Sequence, residues 1–219
     1  PLKDPLIYIN KKYNINLVPA GIVHTLEIHS PNHKAVFTGY NLGYTSIRGH
    51  DDRSWERQLA RQVRAKIHFN SKVTWQELEK DFDRIIIATG DPTISRELKV
   101  WNTDTEAFLK GCIVKGRFDT GVSKIWINTR LSKNCMVYFA PFDENEASYC
   151  TVAMPSSPEE LDVLWSRTIE ELGFEPVPQT EFKLEEYKLG RVTTRQIGKI
   201  LLAGAAGGFV LPFMGFGQI

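Results

Sequence analysis

Glycines crowd the end of this chain, where Ile200-Leu-Leu-Ala-Gly-Ala-Ala-Gly-Gly-Phe-Val-Leu-Pro-Phe-Met-Gly-Phe-Gly217 runs from a short apolar strand pattern straight into small residues. A backbone without Cβ atoms lets a ligand come close, and amides that open a helix face an anion with a favourable dipole behind them. The chemistry suited to such a junction is the holding of a nucleotide cofactor. A second junction of the same kind is Arg84-Ile-Ile-Ile-Ala-Thr-Gly-Asp-Pro92. Its β-branched run is too short for a helix and is stopped by glycine, which predicts a strand buried on both faces of a parallel sheet. Thr89 and Gly90 then stand at the carboxyl end, where parallel sheets bind ligands.

Other chemistries find little support. The five histidines show no metal-ligand spacing, so no metal site is expected. No G-x-S-x-G or comparable nucleophile signature occurs. Cys112, Cys135 and Cys150 are odd in number and share neither metal-type nor redox-type spacing, which fits a reducing, cytoplasmic setting. The formal net charge is +1 with cations scattered among acids, so no nucleic-acid footprint is present and a small-molecule partner is favoured. The segment from Ile200 to Gln218 is uncharged, but its length lies at the low edge for a membrane span, and five glycines with Pro212 make a poor lipid-facing helix. Peripheral association with a membrane stays open, and nothing in the sequence fixes an oligomeric state.

Around these junctions the pattern predicts a mixed α/β chain. Ile22 to His29 and Ala35 to Thr38 alternate apolar and polar residues about a Ser30-Pro-Asn-His33 turn, as in a hairpin, and Tyr44 to Arg48 reads as a further short strand. Asp52 to Ala65 reads as a helix with Trp55, Leu59 and Val63 on one face, and Lys66 to Phe69 as a short strand. A small helix follows over Ser71 to Lys80, with Thr74 and Glu77 forming a capping box. Between Thr105 and Ala153, strand-like runs separated by Gly, Pro, Asn and Asp predict a mostly antiparallel sheet. A helix is expected to run to Leu172 and end at Gly173, followed by a strand over Phe182 to Val192. Parallel-type strands near 66–69, 84–89 and 199–203 thus bracket an antiparallel insert, and the nucleotide-binding layer is discontinuous in sequence.

In their order, Arg48-Gly before a helix, Ala88-Thr-Gly90 ending a buried strand, Tyr138-Phe-Ala-Pro-Phe142 on a sheet and Leu202-Ala-Gly-Ala-Ala-Gly-Gly208 with Gly215 and Gly217 resemble the FAD-dependent oxidoreductases of the geranylgeranyl reductase type, within the wider p-hydroxybenzoate hydroxylase-like flavoproteins. The resemblance covers residues 22 to 219. It implies a partial FAD- and NAD(P)-binding Rossmann-like layer, at 48–91 and 190–219, with a substrate-binding antiparallel sheet domain at 1–47 and 92–189. It also implies roles residue by residue. Arg48 lies near the ribityl and phosphate groups of FAD. Ala88, Thr89 and Gly90 pack near its adenosine half, and Gly204, Ala205, Ala206, Gly207 and Gly208 near its pyrophosphate. Pro212, Gly215 and Gly217 pass the isoalloxazine edge, while Tyr138, Phe139, Pro141 and Phe142 face substrate. The implied reaction is reduction of an apolar, isoprenoid-like substrate by hydride transfer through flavin, with NAD(P)H as electron donor. Hydroxylation or halogenation of an aromatic is the enzymatic alternative, and a ligand- or partner-binding module without redox chemistry the non-enzymatic one. No residue is nominated as catalytic acid or base.

Two departures from the family pattern stand out. Relatives carry an acid where this chain has Gly204. The N-terminal G-x-G-x-x-G, which cradles the pyrophosphate, is absent from all 219 residues. With no initiating methionine at Pro1, the reading is of a piece truncated at both ends and not expected to hold FAD or act alone.

Overall fold

The computed structural model describes residues 4–127, 135–153 and 157–210. In chain order, helix α1 (Pro5–Tyr13) precedes strands β1 (Gly21–His29) and β2 (Lys34–Thr45) and helix α2 (Trp55–Ala60). Helix α3 (Trp75–Asp81), strand β3 (Ile85–Ile87) and helix α4 (Thr93–Glu97) follow. Next come strands β4 (Trp101–Lys115), β5 (Val122–Ile127), β6 (Cys135–Pro141) and β7 (Glu146–Ala153). Helix α5 (Pro158–Leu172) leads to strands β8 (Glu175–Pro176), β9 (Phe182–Val192), β10 (Gln196–Ile197) and β11 (Ile200–Leu202). A single 3₁₀ turn, Gly204–Gly207, closes the described chain.

These elements form two compact units, Pro1–Ile67 with Lys110–Val152 and Glu159–Lys183, and His68–Leu109 with Ala153–Pro158 and Leu184–Ile219. This partition does not coincide with the division drawn from the sequence: residues 48–67 cluster with the first unit, and 92–109 with the second.

The large sheet has the order β2-β1-β5-β6-β7-β4-β8, with β9 also paired to β4. It is mostly antiparallel as expected. The predicted hairpin is present, its turn closed by the Ser30 amide donating to the His33 carbonyl at 2.8 Å, but β1 pairs with β5 in parallel, from Thr25 opposite Val122 to His29 opposite Trp126. Tyr44 and Thr45 continue β2 instead of starting a new strand. Helix α5 carries Leu161, Trp165 and Thr168 inward and stops at Leu172, with Gly173 at φ +65°. Beneath it the rings of Phe118, Phe139, Phe174, Tyr149 and Trp165 form a chain of contacts with centroids 5.0–6.1 Å apart.

The small sheet has the order β10-β11-β3, and β11 runs parallel to β3 with Ile200 opposite Ile85 and Leu202 opposite Ile87. Ile85, Ile87, Ile200 and Leu202 pack with Val100 and Ala206, backed by Trp75 and Leu78 of α3 and by Ile94 of α4. Thr74 and Glu77 make the capping box read from the sequence.

Three further expectations fail. The strand at 84–89 is not buried on both faces: helices cover only one side, and Ile86 and Leu201 on the other are 67% and 44% exposed. Lys66 to Phe69 is not a strand. Ile67 and Phe69 are exposed, and Asn70 turns the chain at φ +53°, so no apolar face pulls the segment into a ladder. The helix expected over 52–65 contracts to Trp55–Ala60, and Leu59 and Val63, the apolar stripe meant to anchor it, remain 39% and 48% exposed. Gln58 and Gln62 instead hold the segment 16–18 through their amides, Gln58 accepting from the Val18 amide at 2.7 Å and Gln62 from the Asn16 amide at 2.8 Å.

Candidate functional site

In the second unit the two glycine-ended strands finish side by side. The Ala203 amide donates to the Ile87 carbonyl at 2.8 Å, extending the parallel ladder one step past β11, and the Ala206 amide reaches the Thr89 carbonyl at 3.3 Å. The Thr89 hydroxyl donates to the Asp91 carbonyl at 3.1 Å, and the buried Ser95 hydroxyl of α4 donates to the Ala206 carbonyl. Ala88, Thr89 and Gly90 are therefore brought against Gly204 to Gly208, as a ligand site at the carboxyl end of a parallel sheet requires.

The glycines do two different jobs there. A Cβ at Gly90 or Gly204 would meet nothing within 4 Å, so the backbone at both strand ends borders open space. A Cβ at Gly208 would stand 2.9 Å from the Arg191 Cα and 3.1 Å from the Val192 amide, so that glycine admits β9 against the turn. Both Gly204 and Gly208 have positive φ, +57° and +70°, which favours glycine independently of space. The turn does not start a long helix. It is one 3₁₀ turn whose Gly207 and Gly208 amides donate to Ala203 and Ala205, and the Phe209 amide returns to Gly204. Beside it, the Arg195 guanidinium lies over the Phe209 ring at 4.2 Å.

Arg48 belongs to the first unit, where its guanidinium pairs with Glu56 in the first turn of α2 and its side chain is 75% exposed. Pro212, Gly215 and Gly217 lie outside the described residues. The aromatic strand is split by its own alternation. Phe139 lies opposite Lys124 of β5 and turns to the α5 side of the large sheet, stacked on Phe174 at 5.1 Å, whereas Tyr138 lies opposite Ile125 and faces the other way. Pro141 is fully buried, and Phe142 closes the β6–β7 hairpin through its amide to the Glu146 carbonyl at 2.9 Å. On the Phe139 side a cavity of about 550 Å³ is walled by Phe118, Phe139, Phe174 and Trp126 and edged by Glu27 and Lys124. That volume lies within the range of small-molecule sites.

On the opposite face Tyr138 is hydrogen-bonded to Cys150. Burial raises the tyrosine phenol far above its ordinary value and pushes the Cys150 thiol up to about 12 and the Cys112 thiol to about 11. Neither thiol is a nucleophile at neutral pH, and Tyr138 stays protonated.

Solved structures of similar shape decide the fold. A geranylgeranyl bacteriochlorophyll reductase-like protein from Thermoplasma acidophilum matches 95% of the chain with a TM-score of 0.62 at 13% identity. A flavoprotein/dehydrogenase from Cytophaga hutchinsonii matches 89% with a TM-score of 0.63 at 15% identity. A flavin-dependent brominase matches 96% at a TM-score of 0.59 and 10% identity. The chain shares the fold of these three structures. It spans 62%, 57% and 62% of the lengths of these three structures. No family model matches the sequence, and no curated protein matches it.

The described strand ends have room for one side of a flat nucleotide cofactor. Open backbone at Gly90 and Gly204 admits a flat ligand edge without a Cβ in the way, but the turn carries neither a carboxylate at position 204 nor a long helix behind its amides. Two participants were not visible in the sequence. Ser95 lies 111 residues from the carbonyl it holds, and Arg195 meets Phe209 only because β10 and β11 fold back on each other. No local pattern announces either contact.

Proposed function

We propose that this chain is part of an FAD-dependent oxidoreductase. The observation that carries the reading is the meeting of Ala88-Thr89-Gly90 with Gly204 to Gly208 at the carboxyl ends of the parallel strands β3 and β11, held by the Ala203 and Ala206 amides. Gly90 and Gly204 border FAD through bare backbone, and Ser95 fixes the turn by its bond to Ala206. When bound, the flavin supplies hydride transfer, with NAD(P)H as donor. The apolar residues of the large sheet hold the substrate and keep water away from it. An isoprenoid-like substrate reduced at a carbon–carbon double bond is the preferred assignment, with hydroxylation or halogenation of an aromatic as the enzymatic alternative. Arg48, Pro212, Gly215 and Gly217 keep the cofactor roles implied by the resemblance, and Tyr138, Phe139, Pro141 and Phe142 the substrate role. A cytoplasmic location belongs to the same proposal; among the described residues no helix is long and apolar enough to cross a membrane.

One observation favours a second reading. Gly204 offers no carboxylate, so the fold could serve as a binding module without redox chemistry. The two readings separate on the protein expressed from its complete reading frame. The oxidoreductase carries a visible flavin spectrum that NADH or NADPH bleaches without air. Failure to take up flavin after exposure to excess FAD overturns the first reading and leaves the second.

A further inference from the structure

We propose that Arg195 binds the phosphate groups of the cofactor, an assignment that rests on the flavin reading above. The Arg195 carbonyl accepts the Leu202 amide at 2.8 Å, which sets this residue beside the last position of β11, at the same carboxyl end as Gly90 and Gly204. Its guanidinium lies over Phe209, whose own amide is tied to the Gly204 carbonyl at 3.1 Å, so the cation is anchored to the glycine turn by one ring.

Charge distinguishes this arginine from its neighbours. Arg191 is paired with Asp104 at 3.5 Å, and Arg84 stands at the amino end of β3. Among the described residues Arg195 has no ion-pair partner, and the turn from Gly204 to Gly208 carries no charged side chain to neutralise it. On the other flank of the strand ends, the Asp91 carboxylate accepts from the Thr93 amide at 2.8 Å, and its hydrogen bonds to Thr93 hold its pKa below the ordinary range. The site is therefore polarised, positive beside Gly204 and negative beyond Gly90. A phosphate chain is attracted to the first flank and repelled from the second. The internal turn amides of Gly207 and Gly208 already donate to backbone, so the guanidinium supplies donors that the turn itself has spent. A planar guanidinium stacked on an aromatic ring keeps its edge N–H groups free for a bidentate phosphate contact while its face stays packed.

The test uses the protein expressed from its complete reading frame, stripped of flavin and titrated with FAD and with riboflavin, which lacks phosphate. Binding is read by the change in flavin fluorescence. Arg195→Met keeps the apolar stem over Phe209 and removes the charge. It is expected to weaken FAD roughly ten- to hundred-fold, as loss of a charge-assisted contact does, and to leave riboflavin within about two-fold. Arg195→Lys restores part of the FAD affinity, and added salt narrows the gap between wild type and Arg195→Met. Unchanged FAD affinity in Arg195→Met, or an equal loss for riboflavin, overturns the assignment, the second result marking a packing role through Phe209. Failure of the unsubstituted protein to bind either flavin overturns the underlying reading instead.

Discussion

On the large sheet, helix α5 closes the face that carries Tyr149, whereas on the small sheet only one face is closed. Leu161 is fully buried and Trp165 is 5% exposed, with Lys110 over the Trp165 ring at 5.3 Å and Tyr149 against it at 5.1 Å. On the small sheet, Ile85 and Ile87 are 5% and 7% exposed while Ile86, between them, is 67% exposed. The first region has the covered aromatic packing that sets a stable scaffold. The second presents bare strand ends and an open face, with the glycine junctions at its edge. In this chain the candidate cofactor chemistry is therefore attached to a sheet with one open face, as ligand sites are commonly drawn from the less stable parts of a fold.

The largest expected effect tests that contrast directly. Trp165→Ala removes a buried ring and leaves a cavity, at a cost of about 3–5 kcal/mol. Segment-resolved hydrogen exchange should show the loss in 110–152 and 159–183, the parts of the first unit that pack around α5. Ile86→Ala, on the open face, should change exchange by less than about 0.5 kcal/mol. A loss above 1 kcal/mol for Ile86→Ala would break the comparison and mark a covering partner on that face of the small sheet.

The same contrast explains what the sequence could and could not disclose. Glycine-ended apolar runs are local signals, so β3 and β11 were legible as parallel-type strands from Ile85 to Ile87 and from Ile200 to Leu202, while their direct pairing was not. The capping box at Thr74 and Glu77, the hairpin turn at Ser30 to His33 and the end of α5 at Gly173 were legible for the same reason: each rests on residues close in sequence. Coverage is not local. Ile86 reads as core because its neighbours do, and only the number of layers packed on the sheet decides otherwise. Leu59 and Val63 likewise carry a helical stripe, but the stripe is left partly exposed and the helix ends at Ala60. For the candidate site, the strand ends were readable, whereas the division of Tyr138 and Phe139 between two faces needed the register of β6 against β5.

The glycine turn offers a middle-sized test of how the small sheet is held. Gly208 and Gly204 share a left-handed backbone, but only Gly208 is approached closely, by Arg191 and Val192. Gly204→Ala should cost about 1–2 kcal/mol, the backbone penalty alone. Gly208→Ala adds a clash with backbone that cannot move aside, for a total of about 2–4 kcal/mol in urea unfolding. Equal costs would mean that β9 does not press on the turn, and that the turn is as loosely held as the open face beside it.

The smallest expected effect lies near one end of the large sheet, in the charge cluster around Glu27 of β1. Its carboxylate accepts from Lys34 at 2.6 Å and lies 3.1 Å from His29 and 3.7 Å from Lys124, and the Lys34 bond leads in holding its pKa below the ordinary 4.5. A carboxylate whose folded pKa is lowered contributes stability that is fully present above the ordinary value and is lost as pH falls through the lowered one. Glu27→Gln mimics the protonated form, so it should cost about 0.2–1 kcal/mol at neutral pH and nothing once the wild-type carboxyl is protonated. Urea unfolding of both proteins at neutral and at acid pH checks this, and the two stability curves should converge on the acid side. A difference that persists below the lowered pKa would show that the Glu27 side chain acts by packing beside Trp126 and His29 and not by charge. In that case even this end of the large sheet belongs to its packed interior, and the contrast with the open small sheet grows sharper.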